Sequence, residues 1–323
     1  MNPQQQAHKA ATKFDFSGIQ VKFSPFVADK IAFTCSQNFG IVGKGRMLIL
    51  DILPNGQIKV FRQFDHNDAV FDCSWSELNE NIIFSGCGDG AIQMYNIQNG
   101  QLALTMQEHI GEVTSIECSH KNPDLLLSSG NDTSVKLFNI SQGKSIENFQ
   151  GAHKGAAQKV AWHPNSESIF ASVGQEGLLK IWDLKKQNKN IATVKAHQAD
   201  IMGCDFNKYQ EMIATCSSDK TIKIWDLRKL QTPVNILVGH RYPVKTVKFS
   251  PHNPHIIGSG SYDMNVNIWD TADVVKPLKF VHQNHSEFVI GLDFNLFLEK
   301  QICTTSWDGR VLVWDFDQEQ PKI

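Results

Sequence analysis

The sequence predicts an all-β chain of seven four-stranded units closed into a β-propeller. Three observations carry that expectation. An aromatic residue or leucine followed by Asp or Asn recurs at Leu50-Asp51, Tyr95-Asn96, Phe138-Asn139, Trp182-Asp183, Trp225-Asp226, Trp269-Asp270 and Trp314-Asp315, and the second positions lie 45, 43, 44, 43, 44 and 45 residues apart. Histidines keep the same beat at His66, His109, His153, His197, His240 and His285. An acid follows each histidine by 22 or 23 positions: Asp89, Asp132, Glu176, Asp219, Asp263 and Asp308. A repeat of this length is one supersecondary module that buries its apolar face only by stacking on its neighbours.

The units can be taken in order. Unit one ends at Asp51, but Lys44 stands where its turn acid is expected, inside Gly40-Ile-Val-Gly-Lys-Gly45. That run lacks the Gly-Lys-Ser/Thr ending of a phosphate loop and opens no helix, so it reads as an altered, Gly-rich turn. Units two, three and four end at Asn96, Asn139 and Asp183. Unit five shows the strand pattern plainly: Ile201 to Phe206, Met212 to Ser217, a tight turn at Ser218-Asp219-Lys220, Thr221 to Asp226, then Val234 to Leu237. Short β-branched and aromatic runs split by turn residues mark strands. Unit six ends at Asp270. Unit seven has three strands, Phe288 to Phe294, Gln301 to Ser306 and Val311 to Phe316. The chain start, around Lys13 to Phe16, is expected to supply the fourth and hide the sheet edges. The expectation is one domain over 1–323, with short tails at 1–12 and 317–323.

Composition narrows the function. There are 31 Lys and Arg against 33 Asp and Glu, a net charge of -2, which argues against nucleic acid as a partner. The seven cysteines are scattered without a knuckle spacing, as in a reducing compartment. The polar start, Met1 to Thr12, is no secretory signal, so the sequons at Asn131 and Asn139 carry little weight. No apolar run approaches the roughly 18 residues of a membrane span, so direct insertion is not expected. The pairs His252/His255 and His282/His285 lack a Cys or carboxylate partner nearby, so neither metal nor cofactor is expected. A catalytic constellation is needed once, whereas the His-to-acid spacing occurs six times. Each histidine is therefore expected to bond the turn acid of its own blade, as architecture, and the chain is not expected to be an enzyme.

A four-strand repeat with Gly-His and Trp-Asp marks resembles the WD40 pattern over nearly the whole chain. Such a propeller gathers the loops after the repeat histidines on one face. Here those loops include Asp68, Glu112, Asp200 and Glu287, with Tyr242 and Phe288 beside them, while Tyr262 and Trp307 precede turn acids. An acidic face with aromatic anchors suits a ligand carrying basic residues and an apolar stripe.

Several segments resemble one family more closely: Gln37 to Asp51 with its odd turn, Phe64 to Glu77, Ala196 to Asp200, Trp225 to Arg228, Val247 to Pro251 and His285 to Phe294. They are similar to the peroxin-7 family of receptors for type 2 peroxisomal targeting signals. The resemblance implies a cytosolic receptor for cargo signals of the form Arg/Lys-Leu-x5-His/Gln-Leu. It implies a co-receptor of the long-form peroxin-5 type or an equivalent, a peroxisomal docking complex, and shuttling to the peroxisome. Signal pairs seven residues apart share one helix face, so the four acids are expected to meet the basic ends and the aromatics to cover the leucines or meet the co-receptor. Two alternatives stand beside this reading. The ending Ile-Trp-Asp-Leu-Arg228 also resembles the box by which some WD40 proteins dock to cullin-4 ubiquitin ligases, and a generic scaffold is the other. A G-protein β-like role requires an amino-terminal coiled coil, and residues 1–17 contain no heptad.

Overall fold

The computed structural model describes residues 9–187 and 189–316. It is an all-β ring of seven four-stranded antiparallel sheets, with one 3-10 turn, Gln37–Gly40, as the only helical element among the described residues. Blade one comprises Ser17–Phe23, Lys30–Ser36, Gly45–Ile52 and Ile58–His66, in that order outward from the channel. Blade two comprises Val70–Trp75, Ile82–Cys87, Ala91–Asn96 and Gln101–Gln107. Blades three to six repeat this order over 113–149, 157–195, 201–238 and 244–282. The first strand of each blade packs against the first strands of both neighbours, blade one touching blades two and seven, so the ring is closed.

Blade seven pairs Val289–Phe294, Gln301–Ser306 and Arg310–Asp315 with an outer strand from the chain start, Ala10–Lys13. Its register runs from Ala10 opposite Val313 to Lys13 opposite Arg310. The closing strand thus begins three residues before its expected place, and Ala10 to Thr12 belong to a blade rather than a tail. Phe14 and Phe16 alternate like strand residues but act as packing residues: the Phe14 ring lies 5.1 Å from Phe33. The rest of the expected tails, 1–8 and 317–323, lies outside the described residues. In blade five the first three strands fall where expected, and the fourth lies one residue later, at Asn235–Val238.

The core lies between blades. Val21, Phe33 and Leu48 of blade one pack with Cys303, Val311 and Val313 of blade seven. All seven cysteines are buried and free, filling such interfaces as small apolar groups.

One irregularity repeats in all seven blades. The pairing of the first strand with the second skips one residue, which makes a β-bulge. The skipped residues are Ile19, Phe71, Thr114, Gln158, Met202, Lys245 and Ile290. A bulge turns its extra side chain out of the regular alternation.

Candidate functional site

The repeat histidines are structural in five blades. His109, His153, His197, His240 and His285 place Nδ1 2.8–3.1 Å from Asp132, Glu176, Asp219, Asp263 and Asp308. In blade four the relay is complete. Trp182 Nε1–H donates to Ser172 Oγ at 2.9 Å, the Ser172 hydroxyl donates to His153 Nε2 at 2.8 Å, and His153 Nδ1–H donates to Glu176 at 2.9 Å. Burial and the Lys180 ammonium hold His153 down to about 4 against the pull of Glu176. Burial would raise Asp132, but hydrogen bonds from His109 and Ser134 keep it well below the usual carboxylate range. These polar groups are paired inside single blades, as buried polar groups must be.

The sixth expected pair is not hydrogen-bonded. His66 Nε2 lies 3.6 Å from Asp89 Oδ2, too far for a hydrogen bond. Its Nδ1 lies 3.0 Å from the Asp68 carbonyl oxygen instead. The physical reason lies at Cys87, whose register position is taken by Gly or Ser in blades three to seven. The Ser85 hydroxyl, which the repeat would aim at the histidine, lies 3.5 Å from Cys87 Sγ.

Where the loops meet the channel lies a cavity of about 350 Å³. All seven bulge residues line it. They divide it into two arcs. Blades seven, one and two contribute the apolar Ile290, Ile19 and Phe71, and blades three to six contribute Thr114, Gln158, Met202 and Lys245.

An aromatic cluster stands over the apolar arc. Tyr262 stacks on Phe288 with ring centres 4.6 Å apart and planes at 15°. Trp307 lies 5.0 Å from Phe288 and 4.9 Å from Phe39. The structure therefore brings together three of the four expected aromatics and adds Phe39 and Phe71. Phe39 comes from the altered first turn. Asn38 and Phe39 adopt left-handed φ of 46° and 62°, and Gly40 follows at 82°. A Cβ on Gly45 would sit 2.4 Å from the Asp68 carbonyl oxygen, so the turn lies too close to blade two for a side chain there, and Gly40 is favoured by its left-handed φ. Tyr242 is 58% exposed and does not line the cavity.

The expected acids separate in the same way. Glu112 lines the cavity and receives a hydrogen bond from Asn131. Its carboxyl is raised by burial and by the nearby Asp68 charge, which places the two acids near each other. Asp200 and Glu287 are exposed and do not line the cavity.

Lys22, Lys159, Lys245 and Lys248 stand on the cavity wall beside Asp72, and Lys248 is paired with Asp205 at 2.7 Å. Asp72 takes Lys159 at 2.8 Å and Lys22 at 3.4 Å. Burial opposes its ionisation, but the two ammonium groups hold it well below the usual range. Burial pushes Lys245 below its ordinary value. Asp293, buried deeper in the channel, is pushed up to about 6 by burial. Among the described residues no helix is long and apolar enough to cross a membrane.

With this geometry in hand, the chain can be set beside known proteins. The family model described as WD domain, G-beta repeat matches residues 57–96, 100–139, 143–183, 188–226, 231–270 and 276–315. The stretch before residue 57, including the altered turn, is not matched. The chain is 40% identical over 289 residues to a Dictyostelium discoideum protein named peroxisomal targeting signal 2 receptor, covering 88% of this chain and 91% of that one. It is 35% identical over 300 residues to the Mus musculus protein of the same name, covering 92% and 93%. It is 36% identical over 306 residues to Arabidopsis thaliana peroxisome biogenesis protein 7, covering 94% and 96%.

Proposed function

The chain belongs to the WD40-repeat proteins and, within them, to the peroxisomal targeting signal 2 receptor family, and from that premise we propose that it is a non-enzymatic import receptor that binds type 2 signals across the mouth of its channel. The cargo then passes, with a co-receptor of the long-form peroxin-5 type or its equivalent, from the cytosol to a docking complex at the peroxisome. The observation that carries this reading is the two-sided mouth, with aromatic and apolar groups on blades seven, one and two and the Asp68/Glu112 carboxylates at its rim.

A signal of the form Arg/Lys-Leu-x5-His/Gln-Leu fits that division. As a helix its two pairs lie about 10 Å apart on one face. The leucines reach Phe39, Phe288 and Trp307 over the apolar arc. The basic ends stay on the rim beside Asp68 and Glu112, because the Asp72 carboxylate inside the cavity is already taken by Lys159 and Lys22. Ile41 and Val42, 81% and 64% exposed on the tip of the altered turn, remain open for the co-receptor. The ligase-docking reading of Arg228 is not favoured, because that guanidinium lies 2.9 Å and 2.6 Å from the two oxygens of Asp226 in its own blade.

The test is binding of a labelled nonapeptide of the type 2 pattern, with and without a cell extract supplying co-receptor. Glu112→Lys should weaken binding at least tenfold, or about 1.4 kcal/mol. Absence of binding in both conditions overturns the reading. Unchanged affinity after reversal of both Asp68 and Glu112 removes the carboxylates from it.

A further inference from the structure

Blade two departs from the other His-bearing blades at two positions at once. Cys87 replaces Gly or Ser, and the His66 to Asp89 hydrogen bond is missing. The three side chains left around the gap are His66, Cys87 and Asp89, whose ligand atoms all lie within 4.8 Å of one another. We propose that they form a site for a divalent transition metal, zinc by preference. An imidazole, a thiolate and a carboxylate together are a donor set zinc takes readily.

The geometry fits metal ligands better than a broken hydrogen bond. Two ligand atoms bound tetrahedrally to one zinc ion lie about 3.4 Å apart, given bonds of roughly 2.0–2.2 Å. The His66 Nε2 to Asp89 Oδ2 distance is 3.6 Å. In the other blades Nδ1 faces the acid and Nε2 is held by a Ser or Thr hydroxyl. In blade two the ring is turned. Nδ1 lies 3.0 Å from the Asp68 carbonyl oxygen and 3.1 Å from the Asp68 backbone nitrogen, and the tautomer that donates from Nδ1 to the carbonyl leaves the Nε2 lone pair aimed into the gap. A backbone carbonyl holding the far nitrogen of a ligating imidazole is the usual outer-shell arrangement. Asp89 Oδ1 accepts the Ala91 N–H at 3.0 Å, which fixes the carboxylate with Oδ2 facing His66. The Asp89 side chain is 45% exposed and gives the ion a way in, while Cys87 closes the site from inside.

Binding forms a metal–sulfur bond as the Cys87 thiol proton leaves to solvent. The charges of thiolate and carboxylate then balance those of the ion. One coordination position stays open to water. The ion restores the tie between the loop after His66 and the turn after Cys87 that the other blades obtain from a hydrogen bond. Asp68, on the rim of the channel mouth, sits in that loop.

The test uses the purified full chain, stripped with a chelator, titrated with cobalt(II) and then with zinc. One equivalent of cobalt should give a thiolate-to-cobalt charge-transfer band that zinc abolishes. Cys87→Ser should remove that band. Asp89→Asn, at a half-exposed position, should keep the metal-free unfolding midpoint and weaken cobalt binding at least tenfold, and it decides the matter if the Cys87 variant does not fold. Absence of the band in the unaltered chain, its survival in Cys87→Ser, or unchanged affinity in Asp89→Asn overturns the proposal. None of these readouts involves the targeting signal.

Discussion

His153 should make the fold acid-sensitive in a defined window. The imidazole side chain is fully buried, donates from Nδ1 to Glu176 and accepts from Ser172 at Nε2. A second proton on Nε2 would confront the Ser172 hydroxyl proton, and burial and Lys180 already hold the group down to about 4 from an ordinary 6.5. The unfolded chain takes up the proton below pH 6.5 and the folded chain does not. Stability from this group is therefore fully present above pH 6.5, falls as pH drops, and is lost by about pH 4. The difference corresponds to about 3 kcal/mol, at roughly 1.4 kcal/mol per pH unit within the window. Urea unfolding at fixed pH values, run on the protein and on His153→Gln, reads it directly. The buried His197, also depressed, contributes equally to both proteins and cancels. Parallel stability curves for the two proteins between pH 6.5 and 4 would refute the reasoning.

Two further outcomes test the scaffold. Thr133 adopts φ 69° in a turn where the equivalent residues of blades two, four and seven are Gly90, Gly177 and Gly309. A β-branched residue there is strained, so Thr133→Gly should stabilise by about 1 kcal/mol, and a lower urea midpoint would contradict it. Removing residues 1–16 takes away the outer strand of blade seven and the Phe14 packing on Phe33. It should cost at least about 3 kcal/mol and promote aggregation through the freed edge. An unchanged midpoint with no rise in light scattering would count against closure by this strand.

The fold was legible because its stabilising chemistry recurs. The His, acid and Trp positions must sit at fixed places for the relay to close, so their spacing survives while loops vary. Strand ends were less legible where the strand lies outermost. Asn235–Val238 is largely exposed, so its limits leave little trace in the hydrophobic pattern. At the site, Tyr262, Phe288 and Trp307 were readable because they adjoin repeat landmarks. Phe39 has no repeat counterpart; its signal was the glycine-rich turn itself, which marked an exception without saying which side chain it delivers. The lysines of the cavity were hidden for another reason. Lys22, Lys159 and Lys248 read as the polar half of a strand's alternation, and only ring closure turns that half inward. Glu112 and Asp200 each stand one residue before a first strand, yet only Glu112 meets the channel, which spacing cannot distinguish.

The bulge shared by all seven blades separates the cavity lining from the strand ladder. A side chain at residues 19, 71, 114, 158, 202, 245 or 290 sits outside the ladder pairing. Exchanging it therefore breaks no ladder pair, although Thr114 also bonds the Ala157 carbonyl of the next blade. The mouth is thus written in seven letters that stand outside the ladder. Under the proposed binding mode, specificity would be retuned at these positions.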